Sequence, residues 1–130
     1  MREIGVKGQT VVVNIRDPFC DDTHSFLVRI PTAKEVSKYL AEMFKRGGKN
    51  IVANTFLHNA KSAVTILEGI KSETIAYEDR PLSSEPDNSG YRENWREILL
   101  ENAPEILAPI GNRFFAGASI ETEDMMDPLG

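Results

Sequence analysis

The sequence predicts an α+β domain, an N-terminal β-hairpin packed on a mostly helical domain of about four helices, with an acidic C-terminal tail. Three observations carry the prediction. Two short segments near the start alternate apolar and polar residues with period two. From residue 32 onward apolar residues recur three and four positions apart, the spacing of a helix face. The last ten residues, ETEDMMDPLG, hold four acids and no base, so the chain from 119 to 130 is expected to be disordered. The rest, 1–118, is short enough to be one domain.

The first strand is read from TVVVNI, where Val11, Val13 and Ile15 share one face and Val12 points to the other. The second is FLVRI, with Phe26, Val28 and Ile30 in phase. Between them RDPFCDDTHS reads as a long polar hairpin tip opened by an Asp-Pro turn. Two strands alone are marginal in water, so the hairpin must pack on helices or pair with another chain.

A helix over 32–46 follows. Thr32 and Glu35 have capping-box spacing, Val36, Tyr39, Leu40, Met43 and Phe44 make the apolar stripe, and Gly47-Gly48 ends it. A second helix is expected over 50–68, with Val52, Phe56, Ala60, Ala63, Val64 and Leu67 inward. Asn54, His58, Lys61 and Thr65 face another side, and Gly69 is the stop. The short Gly-Gly link predicts an antiparallel pair. Periodicity then fades; Ile75 and Tyr77 mark at most a short extended piece before the loop EDRPLSSEPDNS. Tyr91, Trp95, Ile98 and Leu99 predict a helix over 90–101. Asn102 and Glu105 at capping-box spacing, with Pro104 in the first turn, predict another over 103–116. Pro109 inside that pattern should kink or split it.

Composition excludes several function classes. The net charge is −5 with 15 bases against 20 acids, and the tail supplies most of the imbalance. Phosphate binding needs a basic stripe, and FKRGGKN, with three bases, is the best cluster, so no nucleic-acid partner is expected. RGGKN lacks both the dinucleotide-binding and the P-loop spacing. One cysteine, Cys20, makes no internal disulfide, and neither a signal-peptide core nor a long apolar run is present. The expectation is a cytoplasmic protein without membrane contact.

Side-chain chemistry points away from catalysis. Asp17, Cys20, Asp21, Asp22 and His24 are all metal-ligand types, but one Cys and one His do not make the paired spacings of a structural zinc site, and a solvated tip accounts for them. Cys20 as a nucleophile needs His24 or His58 within reach and a third, orienting group, which nothing in the sequence arranges. His58 reads as a half-exposed helix residue. The carboxylates Glu78, Asp79, Glu85 and Asp87 lie in a polar link with no apolar surround to raise a pKa. No metal, cofactor or enzymatic activity is expected. The aromatics Tyr91, Trp95, Phe114 and Phe115 read as core or as a partner surface. Phe114 and Phe115 would lie about 100° apart on a regular helix, too far to share one narrow face.

The order of parts resembles a known family. A strand running into IPTAKEV, a helical middle closing in AVTILEGI, the link YEDRPLSSEPD and the closing NWREILLENAPEILAPIGNRFF are similar to the tail assembly chaperones of long-tailed bacteriophages. The resemblance covers roughly residues 10–117 and rests on degenerate patterns; the long hairpin loop, and SSEPD where the family's link often ends in an aromatic, depart from it. It implies a non-enzymatic protein that binds a tape measure protein during tail assembly, keeps its apolar helical segments soluble and forms homo-oligomers. The link before Trp95 would then be a hinge, and Val12, Tyr91, Trp95, Phe114 and Phe115 the candidate partner-binding residues. Two alternatives remain: a small metal-dependent hydrolase built on the Asp17–His24 loop, and a regulatory protein-binding module such as an antitoxin.

Overall fold

The computed structural model describes residues 8–45 and 51–117; the tail, Arg46, Gly47, Gly48 and the side chains of Phe44, Val52 and Asn54 lie outside them. The α+β class is observed. Strands β1 (Thr10–Arg16) and β2 (Thr23–Arg29) form the hairpin, and helices α1 (Ala33–Lys45) and α2 (Ile51–Ile66) follow. Next come β3 (Leu67–Ile70), a two-residue pair β4 (Ala76–Tyr77) and β5 (Arg80–Pro81), α3 (Trp95–Asn102), α4 (Pro104–Gly111) and a π-helical segment, Asn112–Ala116.

Among the described residues the sheet has three strands, where the alternation pattern alone predicts two. β3 pairs antiparallel with β2, so β2 is central and β1 and β3 are edges. Leu67, expected on the last turn of the second helix, opens this strand instead, and Gly69 lies within it opposite Leu27. Four residues are too few for a period to declare itself, and only pairing with β2 makes them a strand. The hairpin strands also run further into the tip than expected. Register takes Thr10 opposite Arg29 and Arg16 opposite Thr23, leaving residues 17–22 as the turn. The inner face carries Val13, Phe26 and Val28, all buried, with His24 in the same phase.

The capping box forms as its spacing predicts. Thr32 N–H donates to Glu35 Oε1 at 2.9 Å, and Glu35 N–H donates to Thr32 Oγ1 at 3.2 Å. Arg29 adds a two-pronged pair, Nη1 to Oε1 at 2.8 Å and Nη2 to Oε2 at 2.9 Å, tying the end of β2 to the start of α1. That guanidinium holds the Glu35 carboxyl down at about 2, against opposing desolvation.

The core lies between the inner sheet face, α2, α3 and α4, and α2 packs on α4 more extensively than any other helix pair. The reason is Gly111: a Cβ there would stand 1.9 Å from the Asn59 carbonyl oxygen, so the two backbones touch. Ala60 and Ala63 are buried on the expected face of α2, but the buried surface is wider than the sequence stripe and leaves its N-terminal part out. Phe56, placed inward by the sequence pattern, is 37 % exposed, while His58 and Asn59 are buried with Ala60, Ala63 and Ile66.

The C-terminal elements differ in detail from their sequence reading. Tyr91 is not helical; it forms an isolated parallel bridge with Ser83, and α3 begins at Trp95. Asn102 does not cap α4. Its side-chain amide donates to the Ile98 carbonyl and closes α3, leaving Ala103 as the N-terminal residue before Pro104. Pro109 stays within α4, and the helix passes into the wider π form at Asn112 rather than breaking at the proline.

Candidate functional site

Three places on the molecule hold chemistry or exposed apolar surface. The first is the turn of the hairpin. Asp17 shapes it by accepting Phe19 N–H at Oδ1, 2.8 Å, while its other oxygen meets His24 Nε2 at 2.7 Å. His24 Nδ1 meets Thr74 Oγ1 at 2.7 Å, Thr74 meets Ser72 Oγ at 2.8 Å, and Ser25 N–H donates to Ser72 at 3.0 Å. The chain has one direction. An ionised Asp17 only accepts, so Nε2 carries a proton, and in the neutral ring Nδ1 then accepts from Thr74. The His24 hydrogen bond and the Phe19 N–H hold the Asp17 carboxyl below its ordinary range. His24 is 1 % exposed.

The sequence picked out Asp17 and His24 but missed Thr74 and Ser72, 50 and 48 positions away from His24, because no local pattern links β2 to the segment after β3. By loop composition His24 reads as part of the tip. The signal was available: His24 lies two residues before Phe26 and shares its face. Cys20 stands apart, exposed, with its thiol 3.7 Å from Asp22 Oδ2. The Asp22 backbone hydrogen bond pulls its pKa down, but desolvation and the Asp17 and Asp22 carboxylates outweigh this and raise it, the opposite of an activated nucleophile. Among the described residues no three His, Cys, Asp or Glu side chains stand together as a metal donor set.

The second place is a cleft of about 250 Å³ where α1, α2 and the π-helical segment meet, lined in part by Lys38, Tyr39, Glu42, His58, Lys61 and Phe115. The Tyr39 ring is stacked between His58, centroids 4.4 Å apart, and Phe115, 5.1 Å apart. Its hydroxyl donates to Asn59 Oδ1, and burial raises its pKa. His58 Nε2 meets the Tyr39 carbonyl oxygen at 3.1 Å, and Nδ1 faces Glu42 Oε2 at 3.7 Å. His58, expected to be half-exposed, is 4 % exposed because the Tyr39 ring covers it.

The third is the outer edge of β1. The bond from Ile30 N–H to Gln9 O sets the phase of the ladder, so odd-numbered residues bond to β2 and Thr10, Val12, Asn14 and Arg16 direct their backbone groups outward. Val12 is 57 % exposed and Phe19, at the adjoining tip, 80 %. On β3, at the opposite side of the sheet, Ser84 Oγ accepts the Ile70 N–H at 2.8 Å and Arg96 Nε donates to the Leu67 carbonyl.

Of the five candidate partner residues, only Val12 presents a large exposed surface. Trp95 and Phe115 are core residues at 3 % and 2 % exposure, and Tyr91 and Phe114 are half-buried against that core. The Trp95 unit is docked on the body, since Arg96 Nε donates to the Leu67 carbonyl at 2.8 Å while its guanidinium lies 4.3 Å from the Trp95 ring. Comparison with family models, curated proteins and solved structures returns no match. Among the described residues no helix is long and apolar enough to cross a membrane.

Proposed function

We propose that this chain is a non-enzymatic, protein-binding assembly factor of the tail assembly chaperone kind, acting in a bacterial cytoplasm on a tape measure protein and associating with its own copies. The observation that carries the reading is the β1 edge, where outward backbone donors and acceptors lie beside exposed Val12 and Phe19. An edge strand with no proline and no charge before Arg16 accepts a further strand readily. The exposed aromatic at the tip extends that strip with an apolar contact suited to an aggregation-prone client. The test is co-expression with a tape measure segment that is insoluble alone. Wild type is expected to keep it in the soluble fraction, and Val12→Lys with Phe19→Ser to lose at least half of that yield. Equal yields from wild type and the double variant would sink the reading.

A second reading is favoured by one observation. Asp17, His24 and Thr74 form a carboxylate–imidazole–hydroxyl chain, the arrangement that activates a nucleophile in acyl transfer. In this reading Thr74 or Ser72 attacks an ester, without a metal. Against it, each member already spends its hydrogen bonds within the chain, as a clasp between the hairpin and the β3–β4 connection requires. A fluorophosphonate probe separates the two: labelling of Thr74 or Ser72 that is lost in His24→Gln favours hydrolysis, and no labelling of wild type leaves the clasp.

A further inference from the structure

His58 is a nearly buried imidazole with one nitrogen satisfied and one not. The Tyr39 carbonyl can only accept, so in the neutral ring Nε2 carries the proton and Nδ1 is a bare acceptor. Nδ1 faces Glu42 Oε2 at 3.7 Å, beyond hydrogen-bond reach, and that carboxylate is also an acceptor. In the neutral ring two acceptors are thus aimed at one another across a gap, with no donor between them among the described residues. Among the described residues no fully enclosed side-chain nitrogen or oxygen lacks a hydrogen-bond partner, so Nδ1 is reached from the cleft. The His58 side chain is 5 % exposed and Glu42 41 %, which makes the imidazole the inner wall and the carboxylate the mouth.

We propose that this cleft binds a primary ammonium group, whose N–H donors bridge His58 Nδ1 and the Glu42 carboxylate. The ligand needs at least two donors converging on acceptors 3.7 Å apart, and a positive charge to match Glu42. An ammonium has three donors and that charge. A metal ion fits less well, since His58 and Glu42 are not joined by a third ligand of the usual kind among the described residues. The Phe115 ring beside Tyr39 offers an apolar wall to an alkyl stem. At about 250 Å³ the cleft falls below the ~300–1,000 Å³ of sites that enclose drug-sized ligands, so it suits a single alkylammonium arm. Lys38 and Lys61 also line the cleft and repel a polycation more than a single charge. The site is separate from the β1 edge and does not depend on the assembly reading.

The test follows the His58 ring resonances of the full chain by ¹⁵N and ¹³C NMR during titration with n-butylammonium chloride, with tetramethylammonium chloride as a cation that has no N–H. Saturable shifts at His58 with butylammonium, at least tenfold weaker with tetramethylammonium, are expected. Glu42→Gln should weaken butylammonium binding at least tenfold, and His58→Phe, which keeps a ring on Tyr39, should abolish it at residues of α1. Replacing butylammonium with Nα-acetyl-lysine methylamide identifies the source: tighter binding supports a protein lysine in the cleft, weaker binding a free amine. The proposal is overturned if the unliganded ring carries a proton on Nδ1 donated to Glu42. It is equally overturned if tetramethylammonium binds as well as butylammonium, or if Glu42→Gln leaves binding unchanged. A test of tape measure solubility with Glu42→Gln separates this site from the β1 edge, since the variant is expected to chaperone normally.

Discussion

Single atoms decide two of the closest contacts. Gly111 is small because α4 crosses α2 with no room for a methyl group: Gly111→Ala must push the helices apart or unwind the contact at Asn59. It should cost toward the upper end of the ~1–3 kcal/mol typical of overpacking, read as a lowered urea midpoint with unchanged slope. Phe115 tests the division between core and surface. Buried and stacked on Tyr39, it should cost about 3–5 kcal/mol when cut to alanine, whereas a partner-facing aromatic would cost within about 0.5 kcal/mol. Phe114, half-buried with Arg113 5.5 Å from its ring, should tolerate the same change far better.

At the scale of elements, the junction of β2 and α1 is the most electrostatically determined. Glu35 serves twice, as the reciprocal partner of Thr32 and as the acceptor of Arg29, and its carboxyl is held at about 2 instead of the ordinary 4.5. A depressed carboxyl stabilises the fold in its ionised form. That contribution is whole above about pH 4.5 and disappears as pH falls toward about 2. Because the Glu35 side chain is 32 % exposed, solvent screening reduces the contribution to about 1–2 kcal/mol. Glu35→Gln should therefore be less stable than the parent by about that much at pH 7, with the gap closing between pH 4.5 and 2.5 in urea titrations. A gap that is constant with pH would assign Glu35 to capping alone.

At the scale of the whole molecule, self-association is expected through the sheet edge. On β3 the Ile70 N–H is taken by Ser84 and the Leu67 carbonyl by Arg96, so β1 is the edge better placed for sheet extension. An antiparallel pairing of two copies centred on Val12 would place Thr10 opposite Asn14 of the second copy and join two three-stranded sheets into one of six. A biological interface of this kind should bury on the order of 1,000 Å² or more. Sedimentation velocity at increasing concentration should show a dimer in wild type and a monomer in Val12→Lys, which sets like charges face to face. A wild type that stays monomeric would remove self-association from the proposed function, and a dimer in both would move it to another surface.

The sequence by itself determined what depends on short-range repetition. The period-two runs of TVVVNI and FLVRI, the Thr32–Glu35 box and the stripe around Tyr39 each declare an element within a few residues, and each is found. Tertiary structure decided what depends on residues far apart. Leu67–Ile70 becomes a strand only because β2 offers an edge, Asn59 is pressed against Gly111 of α4, and the Tyr39 ring of α1 covers His58. Asp17, His24, Thr74 and Ser72 join across almost sixty positions, and His58 meets Glu42 across two helices. Local spacing reports the backbone's own hydrogen-bond geometry. It carries no record of which face a neighbour will cover, and both polar clusters are made by such covering.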